Sequence, residues 1–196
     1  MREIEIKLRV PDLEPIEAKL RALGCAISAP LTQTDINFIH RDDVRWFEPL
    51  DSEWVYPRLR IQSQTDTNGN KETETLIFTI KKPLRNESDC REHELHVDDP
   101  EEVRGMMDMF GYKEGVTVKK VRRTTSLQDY AFTLDAVEKL GNFIEIERVI
   151  TDQEAAQQGA EKIQEEMTAF AEKMFGLKRI QVVLQGYDIQ MYYAQK

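Results

Sequence analysis

Charged and branched apolar residues alternate without a break at the start of the chain. Ile4, Ile6, Leu8 and Val10 share one face, and Glu3, Glu5, Lys7 and Arg9 share the other. A period of two is the signature of a strand with two unlike faces. The alternation returns at 33–39, 56–62, 75–82, 92–97, 116–124, 132–136 and 143–147, which makes eight expected strands. Helical spacing fills the gaps. Leu13, Ile16, Leu20 and Leu23 form a stripe between Pro11-Asp12 and a Gly24 stop. Asp99-Pro100-Glu101-Glu102 opens a second helix with the stripe Val103, Met106, Met107 and Phe110, ended by Gly111. Thr151 and Glu154 form a capping box for one long helix bearing Ile163, Met167, Phe170 and Met174 as far as Gly176. Residues 187–193 read as a short amphipathic helix. Asn68-Gly69 marks a hairpin turn. Residues 41–54, with Trp46, Phe47, Pro49 and Trp54, read as an ordered loop whose aromatics pack together or meet a base or partner.

The pattern repeats faintly. Leu8 to Gly24 and Leu95 to Gly111 each span sixteen positions and bracket a strand end, an acidic cap and a covering helix. In this register Ile16, Leu20 and Leu23 match Val103, Met107 and Phe110. The strands that follow carry Asp35 in one half and Arg122 in the other. Two similar halves are expected.

The polar faces are unusual for half-buried strands. They carry Glu3/Glu5/Lys7/Arg9, Gln33/Asp35/Asn37, Arg58/Arg60, Lys81, Glu92/Glu94/His96, Lys120/Arg122, Thr133/Asp135 and Glu145/Glu147. One such strand alone reads as a solvated edge with cross-strand ion pairs. Eight of them can close into an antiparallel barrel with helices packed on its apolar outside and the charges lining the bore. Unpaired buried charges are too costly for such a sheet. The bore must therefore hold water, or a polyanion with metal ions. Carboxylates beside cations suit a triphosphate bridged by Mg²⁺ or Mn²⁺. The expected fold is α+β: a closed eight-stranded antiparallel tunnel with a charged interior, flanking helices and two pseudo-repeated halves, spanning 1–196 as one domain.

Composition narrows the setting. With 27 Lys+Arg against 36 Asp+Glu, the net charge of −9 argues against a broadly basic nucleic-acid surface. Cys25 and Cys90 give neither a disulfide framework nor a CxxC pair, so a reducing cytoplasm is the expectation. No signal peptide and no apolar run of membrane-spanning length is visible. The spaced methionines Met106, Met107, Met167 and Met174 read as core. His40, His93 and His96 read as surface or wall residues, since Mg²⁺ prefers oxygen.

The ordered set Glu3-x-Glu5-x-Lys7, Arg58-x-Arg60, Thr79-Ile80-Lys81, Glu92-x-Glu94, Lys120-x-Arg122, Asp135 and Gly141-x-Phe143-x-Glu145-x-Glu147 resembles the CYTH, or triphosphate tunnel metalloenzyme, superfamily. The resemblance covers nearly the whole chain. It implies Glu3, Glu5, Glu145 and Glu147 as ligands of Mg²⁺ or Mn²⁺, with Glu92 and Glu94 supporting them in the metal set. It implies Lys7, Arg9, Arg58, Arg60, Lys81, Lys120 and Arg122 as phosphate ligands. Glu3, Glu5, Lys7 and Asp135 become the catalytic set. The implied activity is metal-dependent cleavage of a triphosphate, whether inorganic or carried by a nucleotide or thiamine. The alternatives are cyclisation of ATP, as in class IV adenylyl cyclases, and a non-catalytic polyphosphate- or nucleotide-binding module. Within the superfamily, the Glu-Ile-Glu-Ile-Lys-Leu-Arg-Val start resembles the class IV branch. The chain departs from that branch in lacking a His-Phe pair before the opening motif, in Gly186-Tyr187 where Ser-Tyr is common, and in the offset of Arg91. These departures weigh against cyclisation. The resemblance also implies pairing as a homodimer, for which no residue marks a face.

Overall fold

The computed structural model describes residues 2–42, 55–65, 71–83 and 89–195. The aromatics of the 41–54 loop and the Asn68-Gly69 turn lie outside them. Eight strands form: β1 (Arg2–Val10), β2 (Leu31–His40), β3 (Tyr56–Thr65), β4 (Lys71–Pro83), β5 (Asp89–Val97), β6 (Tyr112–Leu127), β7 (Tyr130–Val137) and β8 (Gly141–Ile150). All are antiparallel to their neighbours in one curled sheet of order β1-β5-β4-β3-β2-β6-β7-β8. β1 also lies beside β8 through nine registered pairs, whereas its seam with β5 has two, Glu3↔Cys90 and Ile4↔Asp89. The eight expected strands are all present.

The apolar faces turn outward and are covered by helices. α1 (Glu14–Ala22), α3 (Asp152–Gln158) and α4 (Ala160–Phe175) follow β1 and β8 in the chain, and α2 (Pro100–Met109) follows β5. Ile4, Ile6, Leu8, Phe132, Leu134, Ile144 and Ile146 form one core with Ile16 and Leu20 of α1 and Ile163, Met167 and Ala171 of α4. A second core joins Ile36, Phe38, Leu59 and Phe78 to Val103 and Met107 of α2. Full burial of each such side chain stabilises the fold by about 1.5–3 kcal/mol.

Local signals act as expected at several helix ends. Asp99 accepts a hydrogen bond from the Glu101 amide at 2.8 Å. Thr151 and Glu154 cap each other reciprocally, through Thr151 N to Glu154 Oε2 at 2.8 Å and Glu154 N to Thr151 Oγ1 at 3.2 Å. The box starts α3 and not one long helix: Gly159, with φ at +78°, separates α3 from α4. That left-handed conformation suits a residue without Cβ, and it breaks the helical hydrogen-bond run. Burial also differs from the stripes. Leu23, Met106 and Phe110 are exposed, the last at 68%. Leu23 and Phe110 are the C-cap residues of α1 and α2, already past the packed turns. α2 buries two side chains and presents Met106 to solvent. Met174 is half-buried.

The faint repeat has a counterpart in the topology. The cyclic strand order is unchanged when β1 is exchanged with β5, β2 with β6, β3 with β7 and β4 with β8. The pairing registers obey the same exchange. It carries Asp35↔Arg60 onto Arg122↔Asp135, Thr79↔Glu94 onto Glu145↔Lys7, and the seam pairs Glu3↔Cys90 and Gln33↔Lys120 onto themselves. Among the described residues, no helix is long and apolar enough to cross a membrane.

Leu134→Ala should cost about 2–5 kcal/mol by opening a cavity under α4, whereas Met106→Ala should stay within about 0.5 kcal/mol. Urea denaturation midpoints check this; equal losses at the two positions would contradict the packing described.

Candidate functional site

Alternation places the second face of every strand inside the curl. There a cavity of about 300 Å³ is lined by Glu3, Glu5 and Lys7 of β1, Arg58 and Arg60 of β3, Lys81 of β4, Glu92 and Glu94 of β5, Lys120 and Arg122 of β6, and Glu145 and Glu147 of β8. Twelve of the residues expected at the site therefore meet in one place.

Two forked ion pairs anchor the cationic wall. Arg60 donates through Nε and Nη2 to the two oxygens of Asp35 at 2.7 and 3.0 Å, and Lys120 Nζ meets Asp35 Oδ2 at 2.7 Å. Burial alone would raise the Asp35 carboxyl, but Lys120, Arg60 and Arg58 overcome it and hold the group well below the usual carboxylate range. Burial dominates at Lys120 and brings its ammonium down to about 8, despite Asp35. Two residues further along β6 from Lys120, Arg122 donates to both oxygens of Asp135 at 2.8 and 2.5 Å and to Glu145 Oε2 at 3.0 Å. Arg58 Nη2 contacts Thr79 Oγ1 at 3.1 Å and Glu92 and Glu94 at 3.3 Å each. Among the described residues its buried Nε has no hydrogen-bond partner. An arginine held along one edge keeps further donors for an anion.

The acidic wall is divided. Burial would raise Glu145, yet Lys7 at 3.3 Å, together with Arg122, Lys120 and Lys81, draws it far down. Glu92 is likewise lowered, against its burial, by Lys81 and Arg58. The others go up. Glu3 rises to about 7 through burial and the repulsion of Glu92 and Glu147. Burial followed by Glu145 raises Glu5, and burial followed by Glu5 raises Glu147. The register sets Glu5 opposite Glu147 across the β1–β8 ladder.

These hard oxygens, destabilised by one another, suit a divalent cation. Among the described residues no three of them converge into a ready-made metal cage. Mg²⁺ commonly takes one or two carboxylates while waters and substrate phosphates complete its shell. Glu3, Glu5 and Glu147 fit that mode.

Two expected site residues lie elsewhere. Arg9 lies near the end of β1, opposite Phe143 of β8, and its guanidinium donates to Leu140 O and, at 2.8 Å, to Gln190 Oε1, 4.6 Å over the Phe143 ring. It is exposed and does not line the cavity. Asp135 is fully buried behind Arg122 and accepts a hydrogen bond from Tyr187 OH at 3.1 Å, so it positions the guanidinium without facing the cavity.

Other lining residues carry no assignment in the sequence reading: Asp35, Asn37, Tyr56 and the 186–188 segment. Asp35 was visible on an inverted face, but its cationic partners depend on register. Tyr187 had no local signal. It starts α5 (Tyr187–Ala194), which is seated in a core of Ile39, Val116, Val118, Val137, Leu140 and Phe143 with Met191. Val118, Val137 and Phe143 share strand faces with Lys120, Asp135 and Glu145, so the inner face turns apolar where α5 covers it. The Tyr187 ring lies 4.4 Å from Lys7 Nζ and 5.2 Å from Lys120 Nζ. Each contact adds a cation–π attraction. Asp188 is raised mainly by burial.

Known proteins align with this arrangement. The sequence profile of the CYTH domain matches residues 1–178. A Methanocaldococcus jannaschii protein named "Putative adenylate cyclase MJ0240" is 32% identical over 156 residues, covering 78% of this chain and 79% of that protein. The PH1012 protein of Pyrococcus horikoshii superposes with a TM-score of 0.69 at 26% identity, over 96% of this chain and 98% of its own. A Hippeastrum protein described as a "Putative adenylyl cyclase" with a dominant triphosphatase activity shares the fold, at a TM-score of 0.60 and 15% identity over 100% of this chain and 96% of its own. With its charged inner face, its strand order and a profile match over most of its length, this chain belongs to the CYTH family.

Proposed function

We propose that this protein is a divalent-metal-dependent triphosphatase that takes the phosphate chain of its substrate into the bore. In this reading the narrow β1–β5 seam closes the curled sheet into a tunnel. The carrying observation is the opposition of a cationic wall to mutually repelling carboxylates around a cavity of about 300 Å³. That volume is at the lower end of ligand pockets, roughly 300–1,000 Å³. It suits a phosphate chain, and a nucleoside or thiamine moiety then projects toward the mouth.

Arg58, Arg60, Lys81, Lys120, Arg122 and Lys7 bind the anionic oxygens. Asp35 and Asp135 hold Arg60, Lys120 and Arg122 in fixed orientations, so little reorganisation is needed when phosphate arrives. Glu3, Glu5, Glu145 and Glu147, supported by Glu92 and Glu94, are the oxygen ligands for Mg²⁺ or Mn²⁺. A cation bound there supplies neutralisation of the carboxylates and polarisation of the scissile phosphorus. A wall carboxylate accepts the proton of the attacking water. The cations stabilise charge on the departing diphosphate.

The name of the Methanocaldococcus relative favours cyclisation of ATP as the second reading. That reaction needs a seated base, and among the described residues the cavity lining offers Tyr56, Tyr187 and Val118 beside ionised and amide groups. A triphosphate alone is the better match. The Hippeastrum protein, alike in fold, joins a cyclase name to triphosphatase activity.

³¹P NMR of products from tripolyphosphate and from ATP decides between the two. Orthophosphate with diphosphate from tripolyphosphate supports the proposal; a cyclic phosphodiester with diphosphate from ATP replaces it with the cyclase. Glu5→Gln should lower turnover by about 10²-fold or more while circular dichroism stays unchanged; wild-type turnover in that variant would remove the metal assignment.

A pH dependence also follows from the raised carboxyls. Glu3, Glu5 and Glu147 bind protons more tightly folded than unfolded. Their contribution to stability is therefore present below about pH 4.5 and is lost as pH rises through their raised folded values, which for Glu3 is about 7. Metal-free protein should show a melting temperature that falls across this window. Mg²⁺ should raise it more at about pH 8 than at about pH 5. An equal rise at both values would count against these carboxylates as the ligands.

A further inference from the structure

The exchange that superposes the two halves also compares their charges. Asp35–Arg60 in one half becomes Arg122–Asp135 in the other, the same two-pronged ion pair with its signs reversed. Thr79–Glu94, a hydrogen bond of 2.8 Å, becomes Glu145–Lys7, an ion pair of 3.3 Å. Both of these arrangements are internally satisfied in either half. A third pair is different. Lys81↔Glu92 on β4 and β5 becomes Glu147↔Glu5 on β8 and β1. The first is an ion pair through Lys81 Nζ and Glu92 Oε2. The second sets two carboxylates against each other, with Lys7 Nζ at 3.8 Å from Glu5. A cation is thus built into one half, and the matching place in the other half has an anionic side chain.

We propose that the Lys81 ammonium occupies, in its half of the barrel, the position that a divalent cation takes between Glu5 and Glu147 in the other. Lys81 is then the residue that sets the metal count, and the protein without substrate binds one divalent ion per chain. This rests on the metal reading given under Proposed function. The charge logic is simple. Glu92 is already compensated by Lys81 and by Arg58 at 3.3 Å. A second dication there would have to displace or face an ammonium, whereas between Glu5 and Glu147 it relieves a repulsion.

The test is a count of divalent sites by Mn²⁺ titration, read by electron paramagnetic resonance on metal-free protein without nucleotide. Wild type should bind one equivalent. Lys81→Glu, which makes the Lys81–Glu92 pair resemble Glu147–Glu5, should bind two. Glu147→Lys makes the reciprocal change: it should bind none, and its metal-free form should melt above the wild type. Wild type binding no Mn²⁺ would overturn the metal reading itself. Wild type binding two, or folded Lys81→Glu binding one, overturns the role of Lys81 and leaves the metal reading standing. Should Lys81→Glu fail to fold, Glu147→Lys decides: retention of one Mn²⁺ overturns the inference, and loss with a raised melting temperature supports it.

Discussion

The structure depends on a sheet that turns its ionised face inward. Moving a charge from water into a protein interior costs several kcal/mol, and an attraction of opposite charges repays this only when geometry and further hydrogen bonds are good. The bore meets that demand with forks and not with isolated contacts. Asp35 is gripped by Arg60 and Lys120, and Asp135 by Arg122 and Tyr187. Such pairs are poor evidence of extra stability. Their consequence here is orientation: each arginine is clamped along one edge while it borders the cavity. The helices outside supply the apolar burial that keeps so polar an interior folded.

Compensation is incomplete on one side, which is where we propose that a divalent cation binds. Lys7, Lys81 and the arginines pull Glu145 and Glu92 down, while Glu3, Glu5 and Glu147 are left raised by burial and by one another. A folded protein that tolerates such repulsion gains from any dication or polyanion–metal complex that relieves it. α5 adds a boundary, since its Tyr187 and Met191 fill the end where the strand faces have become apolar.

The two halves show how one topology yields an asymmetric site. Strand order and register repeat, so backbone positions are equivalent. Several equivalent positions carry opposite charges, as Asp35 and Arg122, Arg60 and Asp135, and Glu94 and Lys7 do, so the Asp–Arg fork recurs with its signs reversed. Asymmetry gathers at Lys81–Glu92 and Glu147–Glu5, an ion pair in one half and two facing carboxylates in the other.

By itself the sequence determined the eight strands, their polar and apolar faces and several caps, because alternation, helical spacing and capping are properties of neighbouring residues. Twelve of the residues that line the cavity were legible for the same reason: an inverted face is a local pattern, even though its convergence is not. The tertiary structure decided what local pattern cannot carry. Cross-strand register chose Asp35 as the anchor of Arg60 and Lys120 and placed Asp135 behind Arg122. The seat of α5 at the end of the β1–β8 ladder drew Arg9 to Gln190. The seat of α5 brought Tyr187 against Lys7 and Lys120 from the far end of the chain. The extent of each helix's contact left Met106 and Phe110 in solvent although their spacing matched buried neighbours. In each case the deciding quantity is a distance between residues far apart in sequence, and only the folded sheet sets it.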